Sequence, residues 1–250
     1  MAVRGAWVVR ALCLVAGLLM QARADALEVV VFDEGSPPTM YADAQHASRG
    51  VYPAIVTRAF ARMKVPMQAQ ARPFKRLIVE LTAGGAGLGG IIRTPAREAQ
   101  ADFSRAYFTE HLRAYALVRG EVAPLPGLQG LTVGVIRGWS YGPQFDAARA
   151  RGDFSVVEFS QDRQGFESLL QGRIDRMVST ELAAQALLRD ARMARIQAAE
   201  GTVMSFGIHL AFAKRMHRAD VLKAFDKAID EMRRSGELDR IVQDEMAKAR

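Results

Sequence analysis

Residues 131–143 read LTVGVIRGWSYGP: an apolar, β-branched run, the pentapeptide GWSYG, and a proline that opens an amphipathic segment. Val133, Val135 and Ile136 suit a strand, and Pro143 suits the first position of a helix. Strand, glycine turn and helix form the repeating unit of an α/β fold. The same unit, with G-x-S-x-G at its turn, is where a serine hydrolase mounts its nucleophile. Ser140 is therefore either a nucleophile or part of a turn that exposes backbone N–H groups.

The alternation extends in both directions. Upstream, LEVVVFD (27–33) is expected as a strand, and a helix starts at Pro53 with Val56, Phe60 and Met63 at helical spacing. VPMQAQA (65–71) follows as a second strand. In PFKRLIVEL, Phe74, Leu77, Ile78 and Leu81 fall at i, i+3, i+4 and i+7, an amphipathic helix that Gly84–Gly85 end. LGGII (88–92) is a third strand, and a fourth lies near 113–118 before the turn-rich PLPG (124–127). Downstream of 131–143 come strand FSVVEF, a helix near 162–170, strand IDRMVS and a helix over 181–188. Strand SFGIHLAFA (205–213) precedes two helices; Val221, Leu222, Phe225, Ile229 and Met232 share a face of the first, and Gly236 separates the second. Two α/β units and a helical tail predict two lobes with a cleft between them.

The N-terminus is set apart from this pattern. Arg4 and Arg10 precede the apolar run ALCLVAGLLM, and QARADA then places small residues at alternate positions. This is the layout of a secretory signal peptide, with cleavage after Ala24 or Ala26. The run is well short of the ~20 residues a spanning helix needs. Cys13, the only cysteine, lies inside it, so the mature chain has neither disulfide nor thiol nucleophile. Export without disulfides fits a bacterial-type periplasm, where a chain of 250 residues can hold itself by its core. Arg4, Arg10 and Arg23 leave with the signal, lowering the formal charge from +7 to +4. That excess favours anionic small molecules, or simply solubility, and does not call for nucleic acid.

Two motifs lose their functional reading on context. GAGLGG (85–90) satisfies G-x-G-x-x-G, but it follows a helix and enters a strand, the reverse of a dinucleotide site. Close backbone packing is the expectation there. His46, His111, His209 and His217 lack paired-ligand spacing, so no metal site and no cofactor is expected. His209, in an apolar strand, suits a hydrogen-bonded core or cleft residue.

RTPARE (93–98) is more informative. Thr94 suits an N-cap and Pro95 the first helical position, while Arg97 stands where a capping box has Glu or Gln. A cation there opposes the helix dipole unless an anion is bound, in which case N–H groups and a guanidinium fork converge on a carboxylate. Alternatively, Arg97 is a solvated arginine paired with Asp102 or Glu98.

Taken in order, FDEGSPPTMY, GVYPAIVTRAF, ARPFKRLIVELTAGGAG, IIRTPAREAQADFSRAYF, LQGLTVGVIRGWSYG, GRIDRMVSTELAA and SGELDRIVQDEM resemble the bacterial periplasmic solute-binding proteins of family 3, the amino-acid-binding type. The resemblance covers essentially all of the mature chain. It implies an α/β, periplasmic binding protein-like type II fold, with two α/β lobes and a ligand cleft between them. It further implies residues 1–24 as signal peptide, 25–110 and 207–250 as a discontinuous first lobe, and 111–206 as the second. Crossing strands are expected near 107–112 and 204–209.

The resemblance also implies site residues. Arg97, in a motif opened by Arg93 and Thr94, matches the arginine that grips a ligand carboxylate. Ser140, with Trp139 and Tyr141, matches the second-lobe loop that completes that site. Tyr41 falls in the segment that supplies aromatic stacking, and Phe74 and Arg76 lie on the first-lobe helix facing the cleft. Thr180 stands where the family usually has the aspartate that holds an α-amino group. Glu181, next along, either takes that role or complements a helix dipole. Pro53, Gly87 and Ile92 also depart from the family pattern.

The expectation is a monomeric, non-catalytic protein that captures a small anionic or zwitterionic solute by lobe closure and serves an ABC-type membrane permease. The alternatives are a dehydratase or lyase using Glu34, Glu181 or His209, a serine hydrolase using Ser140 with His209 and Asp175 or Glu181, and a solute-sensing module. Intact mass of the exported protein should place its first residue at Asp25 or Leu27; retention of residues 1–24 would overturn the signal assignment.

Overall fold

The computed structural model describes residues 27–118, 125–139 and 141–248. In chain order, β1 (Glu28–Asp33) leads into a small antiparallel sheet of β2 (Gly35–Ser36), β3 (Met40–Ala42) and β4 (Ser48–Arg49). Then come α1 (Val51–Met63), β5 (Met67–Arg72), α2 (Phe74–Ala83), β6 (Gly87–Ile92), the single turn α3 (Pro95–Glu98) and β7 (Ala101–Phe103). A long strand, β8 (Phe108–Leu117), is followed by β9 (Thr132–Ile136), α4 (Pro143–Arg151), β10 (Ser155–Phe159) and α5 (Asp162–Leu170). The rest is β11 (Arg176–Thr180), α6 (Glu181–Leu187), β12 (Ile196–Ala198), β13 (Met204–Ala213), α7 (Ala219–Arg234) and α8 (Glu237–Lys248).

One continuous sheet, ordered β10-β9-β11-β8-β13-β6-β1-β5, runs through both lobes. Each end of it is a parallel trio: β1 lies between β5 and β6, and β9 between β10 and β11. The middle is antiparallel, with β8 pairing β13 from Phe108↔Ile208 to Leu112↔Met204. Parallel strands need crossover helices on the sheet faces, which explains the β-α-β reading of the sequence. The strand expected near 113–118 and the crossing segment expected near 107–112 are a single element, β8.

The helices pack as their spacing predicts. Ile55, Val56, Ala59 and Phe60 of α1 share a buried cluster with Phe225, Ile229 and Met232 of α7 and Leu238 and Met246 of α8. Helix α2 buries Leu77 and Leu81 against Val31, Leu88 and Ile91. Gly84 ends it in the left-handed conformation at φ 64°, its N–H donating to the Glu80 carbonyl. Helix α1 starts two residues before Pro53; proline is tolerated there because first-turn N–H groups have no intrahelical acceptor. Helix α4 buries only Phe145, so the amphipathic segment expected after GWSYG is mostly a solvated helix.

Second-lobe side chains form their own clusters, one around Val133, Val135, Tyr141 and Phe145, another around Tyr115, Phe166 and Met177. Leu182 of α6 crosses to join the first-lobe cluster, and Arg189 donates to the Met246 carbonyl at 2.6 Å. Among the described residues no helix is long and apolar enough to cross a membrane.

GAGLGG is a packing motif. A Cβ on Gly87 would lie 2.6 Å from the Phe212 ring, and one on Gly89 would collide with the Phe32 ring. Gly87→Ala should therefore destabilise the fold by about 1–3 kcal/mol through overpacking. Urea unfolding should show a lower midpoint with an unchanged slope; an unchanged midpoint would mean that Phe212 yields freely.

Candidate functional site

Period 2 along the paired strands decides what faces the gap between the lobes. Phe108, Glu110 and Leu112 lie opposite Ile208, Phe206 and Met204, and all six project to one side of the sheet. The opposite side carries His111 and Ser205, whose Nδ1 and Oγ are 2.7 Å apart. Glu110, Met204, Phe206 and Ile208 line a cavity of about 330 Å³, a size suited to a small solute. Met40, Tyr52, Phe74, Ile92 and residues 93–95 and 97 wall it on the first-lobe side. Gly138, Trp139, Gly142, Pro143, Asp146 and Thr180 wall it on the second.

Arg97 is half-buried in the first-lobe wall, whereas Arg93 beside it is exposed. Strand β6 ends at Ile92, Thr94 caps the turn by accepting the Arg97 N–H at 3.4 Å, and Pro95 starts α3. The guanidinium then folds back: Nη1 donates to the Ile92 carbonyl at 2.8 Å, and its carbon lies 5.9 Å from the Phe74 ring centroid. Burial pulls its pKa down, yet arginine stays protonated in proteins. No carboxylate pairs with Arg97 among the described residues, because Glu98 is taken by Arg93. With α3 only one turn long, the aligned helix dipole expected at this motif is small, and the guanidinium is the principal anion-attracting group.

Glu110 escaped the sequence reading. It is 1% exposed, its Oε1 accepts the Tyr52 hydroxyl at 2.8 Å, and burial pushes its pKa up to about 8. The hydrogen bond opposes that rise without cancelling it, so the carboxyl is largely neutral at pH 7. The signal was present in the sequence: Glu110 is in phase with Leu112, Ala114 and Ala116, the buried side of β8.

Phe74, Arg93, Thr94, Arg97 and Trp139 thus meet at one cavity. Four other expected residues lie elsewhere. The Tyr141 hydroxyl accepts the Ile136 N–H at 2.6 Å, and its ring packs at a tilt against Phe145 in the lobe core. Tyr41 lines a second cavity of about 290 Å³, beside Pro38 and Asp162. Arg76 is exposed on α2 and does not line the cavity. Glu181 pairs with Arg113 at 3.2 Å, leaving Thr180 to face the cleft. Ser140 lies outside the described residues.

The residues that a catalytic reading would recruit have other engagements. His209 Nδ1 lies 2.9 Å from the Ser104 carbonyl, and burial lowers its pKa. Asp175 accepts the Thr132 N–H at 2.8 Å. Among the described residues no group of three or more His, Cys, Asp or Glu is placed to hold a metal ion.

Glu110 makes stability depend on pH. With its folded pKa near 8 and the ordinary carboxylate value at 4.5, the folded state holds one extra proton between those limits. Its contribution is therefore complete below about pH 4.5 and is lost as pH rises to 8, with a slope approaching ~1.4 kcal/mol per pH unit. Unfolding measured from pH 5 to 9 should show stability falling relative to Glu110→Gln up to about pH 8; parallel curves would refute the assignment.

The sequence pattern of the bacterial extracellular solute-binding proteins, family 3, matches residues 29–246. No curated protein matches the chain at a significant level. Among solved structures, a histidine kinase sensor domain similar to periplasmic binding proteins superposes with a TM-score of 0.75 at 18% identity, covering 88% of this chain and 95% of that one. An ancestral arginine-binding protein bound to arginine gives 0.74 at 22% identity, covering 88% and 98%. The second substrate-binding domain of a putative amino acid ABC transporter from Streptococcus pneumoniae gives 0.67 at 18%, covering 88% and 99%. These likenesses establish the type II periplasmic binding protein fold. Given a family pattern that spans nearly all of the described residues, the chain belongs to the bacterial extracellular solute-binding proteins of family 3.

Proposed function

We propose that this protein captures a small carboxylate-bearing solute, an amino acid or a related acid, in the cavity between its lobes. The observation that carries the reading is Arg97, a half-buried guanidinium without a carboxylate partner among the described residues, facing a cavity walled largely by carbon. A buried cation gains most from an anion that satisfies its remaining N–H donors, and a bidentate carboxylate does so. Trp139 and Thr180 reach the same cavity from the other lobe, so a ligand touching both walls stabilises the closed arrangement. In this reading the lobes are 25–110 with 207–250 and 111–206, hinged where β8 and β13 cross.

The signal-like N-terminus supports export to the periplasm, and the family supports delivery to an ABC-type permease by a monomeric carrier without catalysis. The likeness to a histidine kinase sensor domain favours a second reading, in which the same capture step reports to a membrane kinase. Both readings require Arg97. A bound carboxylate at 100 times Kd should add about 2.7 kcal/mol of stability, visible as a raised Tm. Arg97→Ala should abolish that rise while the apo protein melts as before; an undiminished rise would remove Arg97 from the site.

A further inference from the structure

We infer that the cavity selects carboxylates with a compact apolar or aromatic body and no ammonium group beside the carboxylate, as in 2-oxo, 2-hydroxy and aryl-substituted acids. The inference rests on the proposed pairing of Arg97 with the ligand carboxylate, and it follows from what else the ligand would meet. Met40, Phe74, Ile92, Trp139, Met204 and Phe206 offer carbon surface over most of the wall. That surface rewards an apolar body and leaves an ammonium without compensation unless an ionised carboxylate faces it.

Two carboxyl groups line the cavity, Glu110 and Asp146. Glu110 is buried behind the Tyr52 hydroxyl and is largely neutral at pH 7, so it offers a hydrogen and no negative charge. A neutral carboxyl suits a carbonyl or hydroxyl oxygen on the ligand and is a poor partner for an ammonium. Asp146 holds the turn before α4, its Oδ1 accepting the Tyr141 N–H at 3.2 Å. Glu181, one residue beyond the cavity-lining Thr180, is turned to Arg113. Of the charged side chains on the cavity, Arg93 pairs with Glu98 and Asp146 is committed to its turn, which leaves the half-buried cation of Arg97, matched to a single negative group.

The test is calorimetric titration at pH 7 with matched acids: phenylalanine against phenylpyruvate, phenyllactate and 3-phenylpropionate, and leucine against 4-methyl-2-oxopentanoate. The amine-free member of each set should bind at least about tenfold more tightly, the discrimination expected when a buried polar group lacks its partner. Arg97→Ala should abolish the binding. Thr180→Asp, which keeps a competent N-cap on α6, should shift the preference toward the amino acid. Equal or tighter binding of the amino acids, lost in Arg97→Ala, would overturn this inference and leave the proposed function standing. Binding that survives Arg97→Ala, or no binding by any of these acids, would overturn the carboxylate reading itself.

Discussion

Everything about the cleft depends on the antiparallel pairing of β8 with β13, in which 108–112 lie opposite 204–208. A hydrogen-bonded ladder holds the two chain crossings in one register, and that register decides which residues form the floor. A slip of one residue in either strand would turn that strand over, bringing His111 or Ser205 into the cavity and taking Glu110 or Phe206 out of it. The parallel trios on either side inherit their positions from this pair, since β6 joins β13 and β11 joins β8. The walls of the cavity are the ends of those trios and the loops that follow them.

Within that frame Glu110 and Arg97 each answer burial by their own chemistry. Glu110 can take up a proton, so it becomes a neutral carboxyl held by Tyr52. Arg97 cannot lose one at ordinary pH, so it keeps its charge and spreads it over the Ile92 carbonyl and the Phe74 ring. The apolar wall that neutralises the acid thus leaves the base exposed to an incoming anion. A site of this kind presents a half-buried cation before any ligand arrives.

Much of the fold was legible in local pattern. The spacing of Leu77 and Leu81, the terminating Gly84 and the β-branched runs at 29–31 and 133–136 each named an element, because helix and strand periods act over a few residues. RTPARE singled out Arg97 for the same reason: an N-cap, a proline and a misplaced cation within six positions. Phe74 is both one of the helix's apolar positions and a cleft residue. It is half-buried at the helix start, beside the guanidinium and away from the core that Leu77 and Leu81 enter.

By itself, the sequence determined the order of strands and helices, the family, and the arginine on which binding is proposed to turn. Only the tertiary structure decided which neighbours of that arginine share its cavity. Tyr141 and Trp139 are two positions apart, yet one packs in the lobe core and the other faces the cleft. Glu110 and Glu181 are both acidic residues on or beside β8, and they part because of distant partners: Tyr52 is 58 positions from the first, and Arg113 is 68 from the second. Periodicity is a short-range signal, whereas the direction of a polar side chain is set by whichever distant group satisfies it after the chain has packed.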